Sequence, residues 1–123
     1  MVLPTLSVIV ANYNHSSLLP RALEAMLAQS VLPLEILVVD DGSTDNSRTV
    51  IESFAQRSSI IVPIFKERNS GVADTTNRGI AAAKGDFVYL AAADDEVLPG
   101  FFERATTLAA QHPQAGIIIS DIV

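Results

Sequence analysis

The chain has 123 residues, enough for one domain and one core, and its 49% hydrophobic and 18% charged shares exclude a disordered polymer. A net charge of −6 argues against binding nucleic acid through its phosphates, and the absence of cysteine excludes disulfides, thiol nucleophiles and thiolate metal sites. The opening MVLPTLSVIVANYN lacks a basic lead and is broken by Pro4, Thr5 and Ser7, so it reads as a strand and not as a signal peptide. No segment approaches the roughly 20 apolar residues of a membrane span.

In chain order, residues 5–12, TLSVIVAN, form a nearly continuous β-branched run, the pattern of a parallel strand buried on both faces. A turn at Tyr13-Asn14-His15 leads to a helix capped by Ser16 or Ser17 and running to about Gln29, with Pro20 in its first turn and Leu19, Leu23, Met26 and Leu27 as its apolar stripe. Leu34 to Val39 is a second buried strand, and GSTDNS then supplies a turn and a cap for a helix with Val50, Ile51, Phe54 and Ala55 on one side. Ile60 to Phe65 is a third strand, placed at the sheet edge because Pro63 has no N–H for a ladder. Asn69 or Ser70 opens a helix from about Gly71 to Lys84, with Gly85 as a left-handed terminator. Asp86 to Ala91 is a fourth strand. Pro99 opens a helix whose Phe102, Ala105, Leu108 and Ala109 face inward, Pro113 ends it, and Gly116 to Ile119 is a fifth apolar run.

This βαβαβαβαβ order predicts an α/β fold, an open, mostly parallel sheet with right-handed crossovers and helices on both faces. In such a sheet the carboxyl ends of the strands face the ligand crevice. Asp40-Asp41 ends the second predicted strand and Asp94-Asp95 follows the fourth, so the four carboxylates are expected to converge on one mouth. Such a cluster attracts a divalent cation, Mn2+ or Mg2+, and the cation attracts phosphate.

Individual residues suit a nucleoside-diphosphate ligand. Asp94 and Asp95 can hold a metal that bridges both phosphates and stabilises the charge left on a departing diphosphate. The competing role for either is to cap the helix beginning near Leu98. Asp41 can accept hydrogen bonds from ribose hydroxyls or a base N–H, whereas Asp40 is better suited to fixing the turn through backbone amides. Tyr13 offers a ring for the base, and Ala11 and Asn12 can contribute backbone groups to the base edge. Arg78 and Lys66 can lend positive charge, although both read more simply as solvated surface residues.

Four stretches in order, SVIVANYN, EILVVDDGSTDNS, NSGVADTTNRGIAAAKGDF and VYLAAADDEVLPGFF, resemble the donor-binding half of family 2 glycosyltransferases of the GT-A, Rossmann-like fold, from about Leu6 to the chain end. The resemblance implies sugar transfer from a nucleoside-diphosphate sugar, with uridine as the family expectation, to an acceptor hydroxyl on a saccharide or lipid-linked sugar. It implies inversion, metal binding through Asp95 with Asp94, and a nucleoside contact by Asp41. Cytoplasmic cell-envelope polysaccharide synthesis, including work at the membrane face, is the associated setting. Two departures stand out: Thr76 occupies a position that is basic in many members, and Ala92 replaces the first Asp of the common Asp-X-Asp.

Residues 1–123 are therefore expected to form a nucleotide-sugar-binding portion. The acceptor-binding half and the general base would lie beyond Val123, so the fragment would bind donor without transferring sugar. Its apolar Gly116–Ile119 run would favour a homodimer. Among other classes, a dinucleotide-binding dehydrogenase would need Gly-x-Gly-x-x-Gly after the first strand, which ANYNHSS lacks. A phosphoacceptor receiver domain would carry its acidic pair after the first strand. A degenerate nucleotide-binding or protein-interaction module is the non-catalytic alternative, favoured by Ala92.

Overall fold

The computed structural model describes residues 2–119. Four strands form one sheet: β1 (Leu6–Asn12), β2 (Glu35–Asp40), β3 (Ile61–Phe65) and β4 (Phe87–Ala92), all parallel, in the order β3-β2-β1-β4. The two central strands are the most continuously apolar segments, and all of β2 and all of β1 except Ala11 are buried. Pro63 lies in β3, the outer strand, as a residue without an N–H requires.

The connections are α1 (Leu19–Leu27), α2 (Ser47–Arg57) and α3 (Val72–Ala82), and α4 (Phe101–Gln111) follows β4. The chain steps from β1 to β2 to β3 in one direction and then crosses back over β1 to β4. Right-handed crossovers therefore put α1 and α2 on one face and α3 on the other. The packing agrees. Leu19, Leu23, Met26, Ile51, Phe54 and Phe102 meet Val8, Val10, Ile36 and Val38 on one face. Ile9, Leu37 and Val39 form the opposite cluster, where α3 approaches β1 through Gly79 over Ile9. Each fully buried Leu, Ile or Met contributes roughly 1.5–3 kcal/mol relative to exposure.

Several local expectations are corrected. Ser16 and Ser17 do not cap α1; its N-cap is Leu18, with no side-chain bond, and the His15 carbonyl accepts the N–H groups of Leu18 and Leu19. The Ser16 amide is drawn instead to Asp45. Gly85 is not among the left-handed glycines, because α3 ends in extended backbone at Ala83. Glycine serves there for close approach: an added Cβ would lie 2.7 Å from the Ser7 nitrogen, and the Gly85 N–H donates to Ser7 Oγ at 2.8 Å. In α4, Ala105 and Leu108 are only half-buried and line an open apolar recess of about 1070 Å³ beside Phe87 and Tyr89.

Gly116–Ile119 does not form the expected fifth strand. Those residues are irregular, and Ile117 and Ile119 are 79% and 86% exposed. A short apolar run becomes a strand only where a ladder receives it, and among the described residues β4 pairs with β1 alone. The surface that the homodimer expectation rests on is therefore an irregular apolar segment and not a strand edge. As the outer strand, β4 alternates, with Val88 and Leu90 exposed and Tyr89 packed within 5.2 Å of Phe101 and 5.8 Å of Phe102 between ring centroids.

Candidate functional site

The chain reverses its direction of travel across the sheet between β1 and β4, so the carboxyl ends of these strands border the topological switch point. Registers Asn12↔Asp40, Ala11↔Ala92 and Asp40↔Phe65 bring the ends of all four strands to one sheet edge. Tyr13, Asp41, Lys66, Asp94 and Asp95 therefore all follow strand ends on this edge.

The four aspartates fall into two different environments. Asp40 and Asp41 are buried, whereas Asp94 and Asp95 are exposed. Asp40 fixes the turn after β2: its Oδ2 accepts the Ser43 N–H at 3.0 Å, and its Oδ1 accepts Ser43 Oγ at 2.6 Å and Asn12 Nδ2 at 2.9 Å. Gly42 follows at φ +69°, with Arg68 and Asn69 backbone so close that an added Cβ would lie 2.5 Å from the Arg68 carbonyl carbon. Only glycine satisfies both demands.

Asp41 turns toward β3 and α3. Its Oδ1 accepts Lys66 Nζ at 2.7 Å and the Ser70 N–H at 2.8 Å, and its Oδ2 accepts the Gly71 N–H at 3.1 Å. Burial pushes this carboxyl up, but Lys66 and the Ser70 and Gly71 amides outweigh burial and hold it below the ordinary carboxylate range. Lys66 is thus not a solvated surface residue. Its side chain is only 2% exposed and also meets Asp74 at 2.8 Å. Burial pushes its ammonium down, and Asp41 and Asp74 more than reverse that, leaving it above the usual lysine value. Arg78 remains on the surface, 3.9 Å from Asp74.

The loop after β1 is pinned to the loop after β2. Asn14, at φ 54°, donates its N–H to Ser43 Oγ, and its Oδ1 accepts the amides of Thr44 at 2.8 Å and Asp45 at 3.2 Å. The neighbouring Tyr13 is 43% exposed. Asn12 is buried and its carbonyl accepts the Asp41 N–H at 2.9 Å, while Ala11 is paired on both sides within the sheet.

Asp45 reinforces this pin. Partial burial pushes its carboxyl up, but bonds from Ser47 and Ser16 lower it to about 2 from an ordinary 3.8. A depressed carboxyl stabilises the fold above the unfolded-state value and loses that contribution as pH falls through the folded one. Asp45→Asn is accordingly expected to cost about 1 kcal/mol at neutral pH, discounted for solvent screening at this exposed position. The difference from the unmodified chain should vanish near pH 2, as measured by urea unfolding across the acid range.

Asp94 and Asp95 follow β4 and do not cap α4, whose N-cap is Gly100 with no side-chain bond. Among the described residues, neither carboxylate takes a hydrogen bond or ion pair from the protein, whereas adjacent Glu96 is paired with Arg21 at 3.0 Å. Both border a small cavity of about 190 Å³ with Leu18, Arg21 and Ala22. Among the described residues no group of three or more acidic, His or Cys side chains is placed to hold a metal ion, so the four aspartates do not form one metal cage. Two free, hard oxygen donors suit Mg2+ or Mn2+, which use one or two carboxylates and complete their shells with phosphate and water.

Lys66 reads from the sequence as a solvated residue able to lend charge, Ser70 only as a candidate start of α3 and Asn14 only as part of a turn; their bonds to Asp41 and to the loop after β2 are what the structure adds. A signal did exist for Lys66: once Asp40 is paired with Phe65, the next residues, an acid and a base, end adjacent parallel strands at one level.

A family model described as Glycosyl transferase family 2 matches residues 7–120. An uncharacterised glycosyltransferase of Nostoc, alr2836, is 40% identical over 114 residues, covering 92% of this chain and 35% of that protein. The fold is shared with S. aureus TarS 1-349 in complex with UDP-GlcNAc, at TM-score 0.83 and 24% identity, over 95% of this chain and 37% of that one. It is also shared with the mannosyltransferase PcManGT of Pyrobaculum calidifontis in complex with GDP-Man and Mn2+, at TM-score 0.76 and 25% identity, over 88% of this chain and 32% of that one. The chain spans about a third of the length of the curated relatives it matches.

Proposed function

The chain belongs to glycosyltransferase family 2, and from that premise we propose that it is the donor-binding portion of an enzyme that transfers a sugar from a nucleoside-diphosphate sugar to an acceptor hydroxyl. The observation that carries this reading is the contrast at the strand ends. Asp40 and Asp41 each accept three hydrogen bonds from the protein, while Asp94 and Asp95 stand exposed beside the switch point with none among the described residues.

In this reading Asp95, with Asp94, holds a divalent cation. When bound, that cation supplies electrostatic stabilisation of the diphosphate leaving group. A chain of net charge −6 whose site is lined by carboxylates repels a diphosphate, and the cation reverses that repulsion. Tyr13 presents its exposed ring to the base. Asp41 receives a nucleoside hydrogen bond, Asp94 also meets the sugar or ribose, and Ala11 and Asn12 form the edge beneath, where the Asn12 carbonyl keeps one lone pair. The Mn2+ in the PcManGT complex supports the metal. Its GDP-Man shows that the nucleoside varies among neighbours, so uridine is the finer part of the proposal.

Inversion, an acceptor hydroxyl on a saccharide or lipid-linked sugar, and a cytoplasmic setting in cell-envelope polysaccharide synthesis complete the reading. No helix among the described residues is long and apolar enough to cross a membrane. The test is titration calorimetry of the chain with UDP, with and without manganese. Manganese should strengthen binding at least about tenfold, the scale of one lost charge-assisted contact. Equal affinity in chelator would remove the metal from the reading, and no binding in either condition would favour the non-catalytic module that Ala92 suggests.

A further inference from the structure

Lys66 is buried at a cost that packing does not explain. A buried ion pair is often no more stabilising than apolar residues of the same volume, so its retention asks what the charge is for. The ammonium donates to Asp41 Oδ1 at 2.7 Å, to Thr75 Oγ1 at 3.0 Å and to the Ser70 hydroxyl, and it lies 2.8 Å from Asp74 Oδ2. Thr75 and Ser70 pass their own protons on, to the Gly71 carbonyl at 2.8 Å and to Asp74 at 2.7 Å. Every group around the ammonium is therefore oriented. A carboxylate offers about four lone-pair positions. Asp41 uses two on Oδ1 and one on Oδ2, which leaves one on Oδ2.

We infer that Lys66 is a positioning residue for donor binding: it holds Asp41 as a fixed, ionised acceptor whose remaining Oδ2 lone pair takes a hydrogen bond from the nucleoside, through a base N–H or a ribose O–H. This rests on the site being a nucleoside-diphosphate site. Among the described residues, Lys66 is the only cation in direct contact with Asp41. Asp74 and, beyond it, Arg78 flank the far side of the ammonium, and Asp40 is turned to Asn12 and Ser43. Without Lys66, burial acts on Asp41 against only two amides, so its carboxyl rises from where it stands in the unmodified chain. Once protonated it is no longer the same acceptor.

The test compares binding of UDP and 2′,3′-dideoxy-UDP, with manganese, to the unmodified chain, Lys66→Met and Lys66→Arg between pH 5 and pH 8. The ratio of variant to unmodified dissociation constants cancels titration of the diphosphate itself. For Lys66→Met that ratio should grow from pH 8 to pH 5, as protonation of a raised Asp41 carboxyl removes the acceptor. Lys66→Arg should keep it flat. Growth for UDP alone supports a ribose hydroxyl as donor, and growth for both nucleotides supports the base N–H. A purely structural lysine would weaken binding equally at every pH, and a flat ratio for Lys66→Met overturns the inference while leaving the nucleotide site standing. Failure of the unmodified chain to bind either nucleotide would overturn the underlying reading and the inference with it. Should Lys66→Met not fold, the carboxyl carbon-13 shift of Asp41 in the unmodified chain decides: constant down to pH 4 supports the inference, and titration between pH 4 and pH 7 overturns it.

Discussion

Lys66→Met is expected to cost the fold about 3–5 kcal/mol at pH 8, the range for removing one partner of a buried pair. The cost comes mainly from the charge left behind. Asp41 is buried and would keep only the Ser70 and Gly71 amides, while Asp74 is exposed and can be rehydrated. The pH dependence follows from the direction of each shift. In the unmodified chain the Asp41 carboxyl is lowered, so its contribution is present above the unfolded value of about 3.9 and is lost as pH falls through the folded one. The Lys66 ammonium is raised, so its contribution is present below the ordinary lysine value and is lost only as pH rises through the higher folded one. In the variant, Asp41 is relieved by protonation. The stability difference should therefore be largest near pH 8 and shrink toward pH 5, as read by urea unfolding at each pH. A difference under about 1 kcal/mol at pH 8 would mean that water reaches Asp41 and that the pair behaves as a surface salt bridge.

Asp95→Ala and Asp40→Ala should separate binding from stability. Asp95 is exposed and holds no protein partner among the described residues, so its removal should leave the unfolding midpoint within about 0.5 kcal/mol of the unmodified chain. Manganese-dependent UDP binding should fall by tenfold or more, because a charged ligand to the cation is lost. Asp40 is the reverse case. It accepts three hydrogen bonds, from the Ser43 amide and hydroxyl and from Asn12, each worth on the order of 1 kcal/mol, so Asp40→Ala should cost about 3 kcal/mol. Its effect on binding should be the smaller of the two and should follow the loosened turn. Calorimetry and thermal unfolding on both variants check the division, and matching losses in both assays would refute it.

The alternation of strands and helices, the edge position of β3 and the gathering of Asp40-Asp41 and Asp94-Asp95 at one sheet edge were all determined by the sequence. Each depends on a local signal: a β-branched run, a proline without an N–H, or an acidic pair just past an apolar segment. The family resemblance was legible for a related reason, since its motifs lie in the turns that follow the strands, where spacing is set by local geometry.

What tertiary structure alone decided lies between elements. Gly116–Ile119 carries a strand-like composition, but whether a ladder receives it depends on partners that its own residues do not specify. Gly85 looked like a helix terminator, and its reason for being glycine is the Ser7 backbone, 78 positions earlier in the chain. The four carboxylates read as one acidic mouth, yet the register of β2 against β3 supplies Lys66 to Asp41 while Asp94 and Asp95 stay free. A lysine after an outer strand looks solvated from its neighbours in sequence. Its burial is decided by the α3 N-terminus and by the end of the adjacent strand closing around it, and composition and periodicity do not encode that distance.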